Sequence, residues 1–314
     1  MKMEKDKIWK VIVNPHAASG KMMRAWKRIS VLLDQAHIAV DVAFTERKRH
    51  AVELVREAAR EGYRRFLAVG GDGTAHELLE GIASVAVPAG NLPEYTLGVM
   101  PVGSGNDWAK GHHLSSKAKD WVARLKAESF GKQDVVKIVS GGETAYMLNV
   151  GGIGFDAMVC RRVNARKDRG DSGKILYVEG LLYNIFHYKP SPVRVTVDGR
   201  EVFNGPFYSI AFAIGPYCGG GMRQCPGARF DDGLLDMTLV PRLSIPTLLA
   251  KMPRLFTGSL DRVSQLVFAR GKEFTVEVLE GTEEMMEADG EIVASTPLTL
   301  SIVPQQLNVV SALN

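Results

Sequence analysis

The chain is poor in cysteine. It holds three, Cys160, Cys218 and Cys225, among 314 residues, with no CxxC spacing. An odd, scattered set gives no disulfide framework and no zinc site, and it fits a reducing cytoplasm. No run of 18 apolar residues occurs, so no helix is expected to span a bilayer. The opening residues, MKMEKDKIWK, are charged and lack the apolar stretch of a signal peptide. Neither charge sign dominates: 39 basic against 35 acidic residues leave a formal +4. That excess suits anionic partners such as nucleotides or acidic lipid surfaces and is too small to point to nucleic acid. No internal repeat or low-complexity tract is present. Two familiar phosphate motifs are missing as well. No GxGxxG follows the first apolar run. The stretch Pro15–Lys21 departs from a P-loop, with Pro15 where the first glycine belongs and Met22 where a magnesium-binding hydroxyl belongs.

What is present is an order of elements. Over the first 130 or so residues, short apolar runs alternate with helical patterns. Strands are expected at Ile8–Val13, Ile38–Thr45, Arg65–Val69 and Thr96–Met100, and helices around 20–35, 49–61, 74–84 and 105–127. Such alternation implies a parallel α/β sheet with right-handed crossovers. From about residue 135 the period changes to two. Val193–Val197, then Asp198-Gly199, then Glu201–Phe203 has the form of a hairpin. Further strands are expected at Ala145–Val150, Tyr208–Ile214, Leu234–Val240, Phe274–Leu279 and Leu298–Val303, with helices near 172–188 and 244–257. This half reads as an antiparallel β-sandwich. The expected division is 1–134 and 135–304, with 305–314 a candidate to complete the first domain.

Polar and glycine residues gather at the ends of the four N-terminal strands. The first ends in Asn14-Pro15-His16-Ala17-Ala18-Ser19-Gly20-Lys21, the second in Thr45, the third in Gly70-Gly71-Asp72-Gly73-Thr74, the fourth in Gly103-Ser104-Gly105-Asn106-Asp107. In a parallel sheet these places share one edge, where such sheets bind ligands. A glycine turn between strand and helix lets backbone N–H groups and the helix dipole converge on an anion. A carboxylate there, Asp72, implies a metal ion or a proton to be moved. Plainer readings stand beside these. The glycines could serve a turn needing positive φ. Asp72 could be an Asx cap. Thr74 and Glu77 could form a capping box. Thr45 could be an ordinary strand-end threonine, and Asn106 and Asp107 could cap the helix carrying Trp108.

Three of these segments, NPHAASGK, GGDGT followed by Glu77, and GSGNDWAK, resemble the nucleotide-binding blocks of the diacylglycerol kinase catalytic family. That family includes soluble bacterial lipid kinases, sphingosine kinases and ceramide kinases, and it is distantly related to NAD kinases. In the second half, YCGGGMRQCPGARFDDGLLDMTLV resembles the family's GGG–P–DDG–LD block, and ADGE at 288–291 its DGE motif. Ser104 stands where the family usually has threonine, and Ala18 where it usually has glycine.

The resemblance implies an ATP-dependent lipid kinase, with a Rossmann-like α/β domain and a β-sandwich lipid-substrate domain. It implies nucleotide contacts at Asn14, Pro15, His16, Ala17, Ala18, Thr45, Gly70, Gly71, Asp72, Gly73, Thr74, Glu77, Ser104, Asn106 and Asp107. It implies Mg2+ held by the Asp232 carboxylate with main-chain oxygens of Arg229 and Leu234, a set chemically sufficient for a hard cation. Glu291 is the first candidate for the general base, Asp289 the second or an organiser of it, and Asp72 the third carboxylate at the chemistry. Without the resemblance, Asp289-Gly290 is equally well a hairpin turn. Diacylglycerol is the expected acceptor; a sphingoid base, phosphatidylglycerol, or a non-catalytic nucleotide- or lipid-binding role are the alternatives. The basic run Arg161, Arg162, Arg166, Lys167 and Arg169, with the apolar segments Leu181–Phe186 and Ile245–Phe256, would give transient contact with the inner face of the membrane. Packing of those segments on the sandwich is an equal reading. A homodimer is left open.

Overall fold

Strands that are apolar throughout become the centre of a parallel sheet, because helices cover both faces. A computed structural model of the chain describes residues 4–17, 22–102, 105–167, 169, 175–281 and 283–313, with backbone alone for 167 and 175–178. The chain divides into two compact units, Met1–Gln133 with Gln305–Asn314, and Asp134–Pro304.

In the first unit the order is β1 (Trp9–Val13), α1 (Met22–Gln35), β2 (Val40–Phe44), α2 (His50–Arg60), β3 (Arg65–Gly70), α3 (Asp72–Ala89), β4 (Thr96–Pro101), α4 (Asp107–Gly111), α5 (Ala118–Lys126) and β5 (Phe130–Gln133). Strands β1 to β4 are parallel, in the order β2-β1-β3-β4. The two central strands, β3 and β4, are buried almost throughout, as their apolar sequences require. After the second unit the chain returns as β17 (Leu307–Val310), which lies parallel to β4 and antiparallel to β5. Helix α3 lies close against α2 because Gly81 leaves room: a Cβ there would sit 2.6 Å from Cβ of Val55.

The single helix expected over 105–127 is two. The chain leaves α4 at Gly111, His113 adopts φ 55°, and Ser115 accepts from Lys117 N at 3.1 Å before α5 begins. Glycine is a weak helix former and a left-handed residue ends the run.

The second unit contains β6 (Val136–Ser140), β7 (Glu143–Met147), β8 (Val150–Gly154), α6 (Phe155–Lys167), α7 (Ile175–His187), β9 (Pro192–Val197), β10 (Arg200–Ala213), β11 (Leu235–Pro241), α8 (Ile245–Lys251), α9 (Arg254–Thr257), β12 (Val267–Gly271), β13 (Glu273–Val278), β14 (Met285–Ala288), β15 (Glu291–Ser295) and β16 (Leu298–Ile302). Its pairings are antiparallel, in the order β15-β14-β8-β10-β9-β13-β16-β6-β7, with β11 and β12 continuing from β10. The first half of β10 pairs with β9, and its buried second half lies between β8 and β11. An apolar core with Ile153, Val195, Phe207, Phe212, Leu239, Phe274, Met286 and Leu300 fills the space between the faces. The β9–β10 turn, Asp198-Gly199, has φ 48° and 78°, the paired left-handed geometry of a tight hairpin.

Two corrections apply here. Ala145–Val150 is not one strand: it breaks at Leu148-Asn149, whose N–H groups bond a side chain instead of a neighbouring strand. Helix α6 lies where no element is expected, after the glycine-rich end of β8.

Candidate functional site

The ends of β1, β2, β3 and β4 all fall on one edge of the parallel sheet, so the four turns that follow share it. Hydrogen bonds tie them into one framework with the third turn as hub. From the first turn, Asn14 Nδ2 reaches Thr74 Oγ1 at 3.5 Å, while Asn14 Oδ1 accepts from His16 N at 3.0 Å and Asn14 O from Ala17 N at 3.2 Å. Pro15, His16 and Ala17 are thus a turn shaped by Asn14. Thr45, 6% exposed, donates its N–H to Val13 O at 2.9 Å, which joins the second turn to the first. Glu77 accepts from Arg49 N at 3.0 Å and Ala51 N at 3.2 Å, so it caps the start of α2. The plainer reading of Glu77, a capping box within its own helix, gives way to a cap given to a neighbouring helix.

Asp72 joins the third turn to the fourth. Its Oδ2 accepts from Asp107 N at 3.1 Å and its Oδ1 from Trp108 N at 3.2 Å, at the start of α4. A carboxylate at a helix N-terminus is favoured by the helix dipole. Gly105 leaves room for this: a Cβ there would lie 3.0 Å from Asp72 Oδ2, a tight contact. Asn106, at φ 57°, makes the turn into α4, and Asp107 is buried. Ala18 and Ser104 lie outside the described residues.

The three glycines of the third turn differ. None has positive φ, so the turn-geometry reading fails. Gly70 is needed by the fold, since a Cβ would come within 2.4 Å of Thr74 Oγ1. Among the described residues, a Cβ at Gly71 or Gly73 would meet nothing within 4 Å. Among the described residues nothing packs where a side chain at either position would stand, so the backbone there is open.

A network absent from the sequence reading fixes α4. Gln133 Oε1 accepts from Trp108 Nε1 at 2.8 Å and lies 2.7 Å from His112 Nε2; His112 Nδ1 lies 3.1 Å from Ser311 Oγ. Because Gln133 Oε1 can only accept, His112 carries its proton on Nε2, and Nδ1 accepts from Ser311. Burial drives the His112 pKa down to about 4, against the partial support of Gln133. The partners lie 21 and 199 residues away, and no local pattern announces them.

In the second unit, Asp289 and Gly290 form the β14–β15 turn, with φ 52° and 90°. Most polar groups of this turn are engaged. The Asp289 carboxylate accepts from Leu148 N at 2.7 Å, Asn149 N at 2.8 Å and Val150 N at 3.3 Å, and Asp289 N donates to Val150 O. Gly290 N donates to Glu287 Oε2 at 2.9 Å; Gly290 O accepts from Asn164 Nδ2 at 2.8 Å and Cys160 Sγ at 3.0 Å. Glu291 follows at once, the first residue of β15. Burial, with the carboxylates of Asp156, Asp289 and Glu291 around it, raises Glu287 well above the usual range, partly offset by the Gly290 N–H.

Magnesium at Arg229, Asp232 and Leu234 meets an obstacle. Asp232 Oδ1 accepts from Leu234 N at 3.1 Å, and Oδ2 pairs with the Arg270 guanidinium, which also bonds Asp236 through Nε at 3.1 Å. In this structure the Asp232 oxygens are taken by Leu234 N and by the Arg270 guanidinium, whose single charge faces both Asp232 and Asp236, so an ion there would compete with Arg270. Among the described residues, no group of three or more His, Cys, Asp and Glu side chains could hold a metal.

The diacylglycerol kinase catalytic domain family matches residues 8–138, and the YegS C-terminal NAD kinase beta sandwich-like domain family matches residues 149–311. The diacylglycerol kinase of Mycobacterium tuberculosis is 27% identical over 300 residues, covering 95% of this chain and 93% of that protein. A Xanthomonas oryzae pv. oryzae protein named "Probable lipid kinase YegS-like" is 27% identical over 304 residues, covering 95% and 94%. A crystal structure of a diacylglycerol kinase from Bacillus anthracis str. Sterne shares the fold at TM-score 0.74 and 21% identity, covering 99% of both chains. Yeast NADH kinase, solved with NADH, shares it more distantly, at TM-score 0.52 and 9% identity, covering 97% and 84%.

Proposed function

We infer that this chain, which belongs to the diacylglycerol kinase family of lipid kinases, transfers the γ-phosphate of ATP to the free hydroxyl of diacylglycerol, giving phosphatidic acid. One observation carries the nucleotide half of this reading: Gly71 and Gly73 keep open a backbone surface that no described residue covers. Phosphate oxygens approaching it meet the N-terminus of α3, where early helix N–H groups and the dipole favour negative charge. Asn14, Pro15, His16, Ala17, Thr45, Thr74, Asn106 and Asp107 line the tied turns around it. Ala18 and Ser104 join them by sequence position. In this reading Glu77 acts at one remove, by holding the start of α2 in place.

Phosphoryl transfer of this kind uses Mg2+ to neutralise charge on the β- and γ-phosphates. Each Asp72 oxygen accepts an N–H at the start of α4, and a carboxylate in this place would also face such an ion. Asp72 therefore sets the spacing of the third and fourth turns and offers anionic oxygen beside the phosphates. Glu291 takes the proton from the acceptor hydroxyl as it attacks, a step that contributes ~10²–10⁴-fold. Asp289 holds the turn that presents Glu291; its commitments to three backbone amides make it an organiser and not the base. The absence of a membrane-spanning helix among the described residues is compatible with an enzyme that meets its lipid at the inner membrane face.

An assay with γ-labelled ATP and separate acceptors tests the assignment. Diacylglycerol should take label fastest; faster labelling of a sphingoid base or phosphatidylglycerol would move the acceptor, and ATP binding without label on any lipid would favour a regulator.

A further inference from the structure

Side chains alternate across β14. Met286 and Ala288 belong to the apolar core, so Glu287 between them faces the other way, toward the side on which α6 packs against β8, β14 and β15. Its cross-strand neighbour there is Gly152 of β8. The room beside Gly152 is taken by Asp156 of α6: a Cβ on the glycine would lie 2.7 Å from Asp156 Cβ and 3.0 Å from Asp156 Oδ2. Opposite residues of an antiparallel pair stand about 5 Å apart, so the carboxyls of Glu287 and Asp156 are neighbours under α6. Asp156 is bonded by Ser209 Oγ and by the Gln224 side chain. Glu287 Oε2 accepts from Gly290 N at 2.9 Å, inside the turn that presents Glu291. The other titratable or charged groups on this side come from the hairpin itself, Asp289 and Glu291, and from α6, Cys160 and Arg161. Cys160 Sγ donates to Gly290 O at 3.0 Å, and the Arg161 guanidinium lies against the sulfurs of Met158 and Met285 at 3.3 and 3.7 Å. Carboxyls gathered this closely do not all ionise together. Burial, with Asp156, Asp289 and Glu291 nearby, keeps the proton on Glu287 well above the usual carboxylate range. Burial raises Asp156 too, against the support of Ser209 and Gln224.

We propose that Glu287 is a positioning residue for Glu291: it grips the hairpin turn through Gly290 N and sets, through space, how strongly Glu291 holds a proton. The inference rests on the reading of Glu291 as the base. The grip works from inside the turn, while Asn164 and Cys160 of α6 hold the Gly290 carbonyl from outside. The two sides together fix the peptide that precedes Glu291. The second effect is electrostatic. With Glu287 neutral, Glu291 ionises with one adjacent charge fewer and stands ready to accept the hydroxyl proton. Once Glu287 ionises, repulsion makes Glu291 the stronger base. Two carboxyls linked in this way titrate as a pair.

The test reads titration and turnover separately, on the full chain. Carbon NMR of protein labelled at the glutamate side-chain carboxyls follows each group against pH, with Glu287→Gln and Glu291→Gln assigning the two resonances. Glu291→Gln should lower the midpoint of Glu287, and Glu287→Gln should remove the upper of two steps from the Glu291 curve, because a coupling is the same seen from either site. Turnover on a short-chain, water-dispersed diacylglycerol should rise with pH in two steps in wild type and in one step in Glu287→Gln. Glu287→Gln keeps an oxygen for Gly290 N and should melt no lower than wild type near neutral pH, since the native state no longer holds a carboxyl that ionises less readily than in the unfolded chain. Glu287→Ala leaves that amide without its acceptor and should lose on the order of 10–100-fold in kcat at every pH, with the KM for ATP unchanged. Independent titration of Glu287 and Glu291, a two-step profile that survives in Glu287→Gln, or wild-type turnover in Glu287→Ala would each overturn the proposal. Wild-type turnover in Glu291→Gln defeats the base assignment alone; the carboxyl titrations, read without turnover, still decide whether Glu287 governs Glu291.

Discussion

Replacing Gly73 by alanine should move stability and nucleotide affinity in opposite directions. Gly73 is exposed, lies in the first turn of α3 and has ordinary helical backbone, and the added methyl would meet no atom of the described residues within 4 Å. At such a position alanine restricts the unfolded chain and stabilises by about 0.4–1 kcal/mol. For a unit of this size that raises the melting temperature by roughly 1–4 °C. The same methyl occupies the space into which a phosphate oxygen must come to hydrogen-bond the backbone. Loss of one charge-assisted bond costs about 1.5–3 kcal/mol, or roughly 10–100-fold in Kd for ATP. Differential scanning fluorimetry gives the first quantity and isothermal titration with a non-hydrolysable ATP analogue the second. Wild-type affinity in Gly73→Ala would refute the argument that this surface is kept for phosphate. A drop of several degrees in melting temperature would show that the fold requires the glycine after all.

Glu291→Gln should retain the wild-type melting temperature and lose ~10²–10⁴-fold in turnover; near-wild-type rates would remove Glu291 from the role of base. Stability should fall on acidification through His112. The unfolded residue binds a proton near pH 6.5 and the folded one only near pH 4, so protons favour unfolding between those values, with about 3 kcal/mol lost across the window. Urea titrations between pH 7 and pH 4.5 should show this slope in wild type and a flatter one in His112→Gln; identical slopes would reject it. Arg270→Ala should become more stable on adding Mg2+, while the wild-type melting temperature ignores both Mg2+ and EDTA. A wild-type protein that loses stability in EDTA would restore the ion to the Asp232 turn.

Much of the fold was legible because its signals are local. Apolar runs separated by helical patterns place β1 to β4, and Asp198-Gly199 between alternating segments places the β9–β10 turn. Helix α6 was not legible: Phe155, Met158, Val159, Cys160 and Val163 surround it without forming one clear stripe. The break between β7 and β8 depends on a carboxylate 141 residues away in sequence, and the break between α4 and α5 depends on a left-handed His113. The candidate site divides in the same way. Its turns are visible as motifs, whereas the bonds that tie them, Asp72 to Asp107 and Trp108, Glu77 to Arg49 and Ala51, exist only after the strands have aligned. The Arg270 guanidinium on Asp232 belongs to this second class, since nothing local in the acidic run announces a partner 38 residues away.

Strand β17 has a consequence for synthesis. A ribosome releases β1 to β5 early, but their sheet lacks a neighbour for β4 until residues 307–310 emerge. All of Asp134–Pro304 must be translated in between, on the order of ten to thirty seconds at ordinary elongation rates. During that interval the half-made sheet presents an open apolar edge, a natural client for chaperones, whereas the sandwich can finish without waiting.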